Sequence, residues 1–348
     1  MIQPCFTKVS GGRQSPDATN ANHPGVDTRG SPISYFPTFA CALIFIVAVC
    51  VQNAVADNFA LIVGVNHCDK FRLPDGSRPR PLRAAELDAD AMFFQLTSQL
   101  GFEKDHVRLL KGDRATRAAL ECTFREFATT LKSTDHLVIH FAGHGTQVPD
   151  QKPFDEDDEL DEALCLADSE SDVKTLLLDD TLGIWLDDLP PKRMTVLLDC
   201  CHSGTGLKDF DDDVQSRYLP FAVEQTAASS AASKNEWSEV RGDAKSLDRD
   251  IAAVFACHPE QQAYERRMMR GNEVVRAGQF THFLLEGLQN NAADINGDAI
   301  VSRQEIAVYV ELRLDSTFNE TRSTLKERQQ PVLECDRPGK PLFPGLNQ

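Results

Sequence analysis

Short apolar runs alternate with longer stretches of helical periodicity along most of this chain, and that alternation limits the architectures open to it more than any other feature. The runs are "FALIVGVN" from Phe59, "HVRLL" from His106, "HLVIHFA" from His136, "RMTVLLDC" from Arg193 and "IAAVFAC" from Ile251. Each is short and continuously apolar, as expected of strands buried on both faces. Between and after them, "LRAAELDADAMFFQLTSQLGF", "TRAALECTFREFATTLK", "QFTHFLLEGLQ" and "SRQEIAVYVELRLDS" read as helices, the first stopped by Gly101. The expected class is therefore α/β, a mostly parallel sheet of about six strands flanked by helices.

With 348 residues and 41% hydrophobic content, the chain can bury a substantial core. A formal net charge of −17 argues against nucleic acid as a partner, since phosphate recognition relies on clustered cations. Cationic groups or metal ions are the better match.

Residues 1–56 differ from the rest. A polar, Pro/Gly/Ser-containing stretch leads into "FACALIFIVAVCV", Phe39 to Val51, followed by Ala54-Val55-Ala56. The apolar run is too short to span a bilayer and suits a signal-peptide core with a small-x-small cleavage signature. Cleavage before Asp57 is expected, placing the protein in a secreted or periplasmic compartment with no stable membrane span; an uncleaved segment would anchor it instead. Seven cysteines remain after Asp57, an odd number, so at least one thiol stays free. A monomer is expected.

Ala/Ser-rich composition and lost periodicity mark 205–250 as a flexible connector. It separates a larger part, 57–204, from a smaller one, 251–348. Lys234, Arg241, Lys245 and Arg249 lie on it, exposed basic sites at which a chain that cuts after basic residues is expected to cut itself, leaving a smaller fragment that begins near Asp250.

In a parallel sheet, reactive groups gather beyond the carboxyl ends of the strands. The third run delivers Gly143-His144-Gly145, and the fourth delivers Cys200-Cys201-His202. A histidine and a thiol from two strand ends can act as base and nucleophile. Strand alternation puts Val196, Leu198 and Cys200 on one face and Leu197, Asp199 and Cys201 on the other. Cys201 is thus the nucleophile beside a carboxylate, and Cys200 a small buried residue. His136, His140 and His202 read as ordinary core or loop histidines.

"HFAGHGTQ" and "LLDCCHSGTG", in this order, resemble the metacaspases and other caspase-type cysteine peptidases. The resemblance implies a caspase-like fold, His144 and Cys201 as a catalytic dyad, and an oxyanion hole from the N–H groups of Gly145 and Cys201. It also implies an acidic specificity pocket from Asp88 and Asp199, hence protein or peptide substrates cut after Arg or Lys. Leu82 and Asp88 match the family's Leu-x-Gly-Cys/Ala-x-Asn-Asp pattern, but Ala84 and Leu87 replace its Gly and Asn. The acidic stretches around Asp158, Asp179 and Asp180 are similar to loops that bind activating calcium (Ca2+), with a further ligand near Lys208 or Asp209. Two other functions stay open: a non-catalytic calcium-dependent scaffold on the same fold, and a peptidase specific for Asp or Asn.

Residues 294–305, "DINGDAIVSRQE", place oxygen donors Asp294, Asn296, Asp298, Ser302 and Glu305 as in an EF-hand loop. Ala299 stands where that loop has glycine, and the alternative is a plain helix–helix turn.

Overall fold

The structure is a computed structural model that describes residues 56–151, 159–202, 213–222, 249–320 and 328–343. The export segment up to residue 55, Asp158, Lys208, Asp209, Lys234, Arg241 and Lys245 lie outside the described residues.

In chain order the elements are β1 (Asn58–Gly64), α1 (Ala85–Phe94), β2 (Val107–Lys111), α2 (Arg117–Thr130), β3 (His136–Ala142), β4 (Gly145–Pro149), β5 (Leu160–Leu164), β6 (Leu177–Leu178) and α3 (Asp179–Asp187). They continue as β7 (Arg193–Asp199), β8 (Gln215–Ser216), β9 (Asp250–Phe255), β10 (Tyr264–Arg270), β11 (Glu273–Gly278), α4 (Gln279–Leu288), α5 (Arg303–Glu320) and β12 (Val332–Cys335). The six-stranded main sheet is ordered β12-β9-β7-β3-β1-β2. All its neighbours run parallel except the edge pair β12 and β9.

Two cores lie on the two faces of this sheet. On one, Leu120, Phe124 and Phe127 of α2 and Leu182 and Leu186 of α3 pack with Leu61, Ile139 and Val196. On the other, Met92 of α1, Phe280, Phe283 and Leu284 of α4 and Ile306 and Val310 of α5 pack with Ile62, Val138 and Leu197. Helices on both faces leave the central strands dry, which is why β3 is buried along its whole length. Gly101, at φ 70°, adopts the left-handed conformation expected of the residue that ends the first helix.

Two smaller antiparallel sheets, β11-β10-β8 and β4-β5-β6, extend past the carboxyl ends of the main strands. β5 and β8 arise where the sequence suggested loops. In the acidic stretch after Asp155, Leu160, Ala163 and Leu164 supply enough apolar surface for a strand, and Asp161 and Glu162 are buried with it. Within the expected connector, residues 213–222 include β8, with Val214 and Leu219 buried. Arg249, at the connector's end, is fixed to Asp187 at 2.7 Å and to the Leu186 and Leu189 carbonyls at 2.8 Å. That anchoring removes the exposure expected of it as a cleavage site.

Candidate active site

The register of the main sheet places the two reactive loops side by side. Ala142, at the end of β3, pairs with Asp199, at the end of β7, and the Gly143 N–H donates to the Asp199 carbonyl at 3.3 Å. His144 and Cys201 each follow their paired residue by two positions. Backbone packing dictates the glycines. A Cβ on Gly143 would come within 2.7 Å of the Phe141 ring, and one on Gly145 would collide with the Cys201 carbonyl. The expected alternation is also present: Val196, Leu198 and Cys200 belong to the α2 side, Leu197 and Cys201 to the α4 side.

His144 and Cys201 are both buried. Burial pushes the Cys201 thiol up to about 12, against the neighbouring Ala263 backbone, the Ser216 hydroxyl and Arg217, which act to lower it. The sulfur lies 3.8 Å from the Ala263 carbonyl oxygen and 3.9 Å from Ser216 Oγ. Burial lowers His144 to about 4, partly opposed by the adjacent backbones of Arg217 and Arg80. Among the described residues neither of its ring nitrogens has a hydrogen-bond partner. A neutral imidazole with an unused nitrogen is the protonation state that a general base requires.

Asp88 and Asp199 converge on one pocket, and an arginine of the chain itself fills it. The guanidinium of Arg217 lies 2.5 Å from Asp88 Oδ2, 3.0 Å from Asp199 Oδ2 and 3.6 Å from Glu265 Oε2, all four side chains being buried. Asp199 Oδ2 also accepts from the Thr281 N–H at 3.0 Å and from its hydroxyl at 2.7 Å, in the first turn of α4 where the helix dipole favours an anion. Asp88 accepts from the Gly278 N–H at 3.0 Å. Burial raises the Asp88 carboxyl to about 7 despite Arg217, with Asp199 adding repulsion. A side chain on Gly278 would meet both Asp199 and the guanidinium, so this glycine keeps the pocket open.

A family model for the caspase domain, the C14 peptidases, matches residues 57–343. The chain belongs to the caspase-domain peptidases. Over 156 residues it is 29% identical to metacaspase-4 of Arabidopsis thaliana and 33% identical to metacaspase-1 of Candida glabrata. Those stretches cover 43% and 42% of this chain but only 34% and 37% of the two relatives. A crystal structure of a Geobacter sulfurreducens protein is similar over 84% of this chain and 97% of its own, with 25% identity and a TM-score of 0.52.

Within this caspase domain, Arg217, Glu265, Gly278 and Ala263 are site residues that the sequence did not reveal. Glu265 is fully buried and also accepts from the Arg83 and Ala84 N–H groups at 2.8 and 3.0 Å, tying β10 to the start of α1. The only hint was apolar residues around Arg217, in "VQSRYLPF", inside an otherwise polar connector. Other histidines are core residues, as expected. His136 Nε2 lies 3.0 Å from Thr195 Oγ1 and His140 Nε2 lies 3.1 Å from Thr281 Oγ1, while His202 Nε2 is 3.5 Å from Cys200 Sγ. Among the described residues, Cys68, Cys165, Cys200, Cys201 and Cys257 are free thiols, all buried.

Of the expected calcium ligands, Asp179 and Asp180 begin α3. Asp179 is buried, its Oδ1 has no hydrogen-bond partner among the described residues, and burial, Glu162, Asp180 and Asp161 all push its carboxyl upward. An orphaned carboxylate oxygen among acidic groups fits a hard cation. Among the described residues, however, no three acidic, histidine or cysteine groups already converge as a metal site. Loop 294–305 is closed by its own backbone. Asp294 accepts from the N–H groups of Gly297, Asp298 and Ala299, and Glu305 accepts from those of Ile295, Asn296 and Ser302. Ala299, at φ 66°, takes the left-handed turn without a glycine.

Proposed function

We propose that the protein is a cysteine endopeptidase that hydrolyses peptide bonds after Arg or Lys. The observation that carries this reading is the placement of Arg217. Its side chain lies between Asp88 and Asp199, and its carbonyl oxygen accepts the Gly145 N–H at 2.9 Å. A cationic side chain in the acidic pocket and a carbonyl on an oxyanion donor are what a bound substrate requires.

His144 accepts the proton of Cys201, and the thiolate attacks the scissile carbonyl carbon. Charge develops on the carbonyl oxygen, where the Gly145 N–H is already aimed. The imidazolium protonates the departing amine, and water then hydrolyses the thioester. Asp88 and Asp199 hold the substrate's cation. An Asp side chain there would bring a fourth carboxylate against Asp88, Asp199 and Glu265, so the pocket disfavours acidic specificity. The presence of both dyad residues favours catalysis over a scaffold role.

Calcium is proposed to bind at Asp179 and Asp180, with Asp158 and Asp209 as further donors, and at loop 294–305 through Asp294, Asn296, Asp298 and Glu305. When bound, it would neutralise repulsion among the carboxylates beside β5. The apolar segment 39–51 and Ala54-Val55-Ala56 support export, and no helix among the described residues is long and apolar enough to cross a membrane.

An arginyl chloromethyl ketone tests the site directly. Alkylation should map to Cys201 by peptide mass spectrometry and be abolished by His144→Ala. Labelling spread over Cys200 and the other thiols would contradict the assignment.

A further inference from the structure

His140 lies on β3 with its side chain on the α4 side of the sheet, the face it shares with Val138 two residues earlier. Fully buried, it pairs in register with Leu197 of β7, and Asp199 ends that strand two residues further along. Its Nε2 lies 3.1 Å from Thr281 Oγ1, and that hydroxyl lies 2.7 Å from Asp199 Oδ2. The three side chains form one line of contacts from the core to the acidic pocket, where Asp199 Oδ2 meets the Arg217 guanidinium at 3.0 Å.

A hydroxyl has one proton to give. Beside a carboxylate, which only accepts, Thr281 donates to Asp199, so its oxygen is left to accept from the His140 Nε2–H. His140 is therefore neutral with its proton on Nε2, and burial, followed by the Arg217 charge, holds it at about 3. Its Nδ1 has no hydrogen-bond partner among the described residues. An unmet buried nitrogen is destabilising, so packing alone would favour phenylalanine at this position. The Nε2 donor is what a histidine adds.

We propose that His140 and Thr281 are positioning residues that set specificity for a cationic side chain: His140 directs the Thr281 hydroxyl, and Thr281 holds Asp199 where it meets a substrate's guanidinium. This rests on the reading of the pocket given above. Asp199 Oδ1 has no hydrogen-bond partner among the described residues, so the carboxylate's orientation depends on what Oδ2 receives. Apart from the guanidinium, Oδ2 receives the Thr281 N–H at 3.0 Å and the Thr281 hydroxyl. The N–H is fixed by the helix, whereas a hydroxyl proton can rotate, and the His140 donor leaves it one direction. The start of α4 also holds Asp88, through the Gly278 N–H. Only Asp199 has a side chain and a second donor behind it.

Steady-state kinetics on two fluorogenic peptides test this, one with arginine before the cut and one with citrulline, which keeps the shape and lacks the charge. Thr281→Val should raise KM for the arginine peptide about ten-fold and leave kcat within about two-fold, with the citrulline peptide unaffected. Thr281→Ser restores the hydroxyl and should return KM to near the wild-type value. His140→Phe should raise the same KM about three-fold or more, and adding it to Thr281→Val should do nothing further, because a relay fails at its first break. His140→Phe leaves both bonds from Thr281 to Asp199 in place and carries the test alone if Thr281→Val does not fold. Nitrogen NMR of the wild type should show the His140 proton on Nε2. Equal losses on both peptides, a loss in kcat alone, failure of serine to rescue, or an Nδ1–H ring would overturn this inference and leave the peptidase reading standing. Wild type that turns over arginine and citrulline peptides equally would overturn the cationic reading, and this inference with it.

Discussion

The Gly145 N–H donates to the carbonyl of Arg217, 72 positions away in the chain, at 2.9 Å. This single bond aligns three separate pieces of the molecule: the loop that presents His144, the strand-like segment around β8, and the pocket built by Asp88 and Asp199. The glycine tolerates no side chain, because a Cβ there would strike the Cys201 carbonyl. The Gly145 N–H, His144 and Cys201 are therefore held by one tight packing arrangement.

Pocket charge sets the first expectation. Asp199→Asn removes one carboxylate facing the guanidinium but keeps a side chain of similar shape beside Thr281. It should lower kcat/KM for arginine peptides by about 2 kcal/mol or more, roughly thirty-fold, mostly through KM. Steady-state kinetics on Arg and uncharged peptides should show the preference for Arg shrinking. An unchanged preference would remove Asp199 from the pocket.

Buried histidines make stability depend on acid. Burial holds His136 and His140 at about 3 and His144 and His202 at about 4, below the ordinary 6.5. Each ring binds a proton more readily once unfolded. Their contribution is therefore complete above pH 6.5 and lost as pH falls from there toward 4. Asp88 acts in the opposite sense, since its carboxyl is raised to about 7 and its contribution is lost as pH rises through that value. His282, also held at about 4, joins the four histidines, and Asp179, raised by burial, joins Asp88; five groups against two make the acid side dominate, so Tm should fall between pH 6.5 and 4.5. A flat or rising Tm over that range would show that these rings are not buried and neutral.

The sheet was largely legible because its strands are apolar on both faces and its helices amphipathic, so local pattern and burial agree. The positions of Cys201 and Asp199 were legible because strand alternation fixes their direction, and that of His144 because two glycines set it at a strand end. Arg217 was not. Its burial depends on Asp88, Asp199 and Glu265, which lie far away in sequence, and no local period marks a residue held by charge alone. β5 was hidden for the same reason: Asp161 and Glu162 look like a solvated acidic run, yet the strand's apolar residues draw them inward.

Calcium provides a third test. If the ion settles beside the unpartnered Oδ1 of Asp179, millimolar calcium should raise Tm relative to chelator, by RT ln(1 + [L]/Kd) in free energy. Asp180→Ala should reduce that shift while loop 294–305 stays intact. A Tm indifferent to calcium in the wild type would dismiss both proposed calcium sites.

The central claim is cleavage after a basic residue through Cys201 and His144. The most direct measurement is kcat/KM on matched fluorogenic peptides differing only in the residue before the cut, using enzyme incubated until its rate is steady. Arg and Lys peptides should be turned over, Asp and Asn peptides should not, and Cys201→Ala or His144→Ala should lower the rate by several orders of magnitude. Comparable turnover of Asp and Arg peptides, or full activity in Cys201→Ala, would contradict the account.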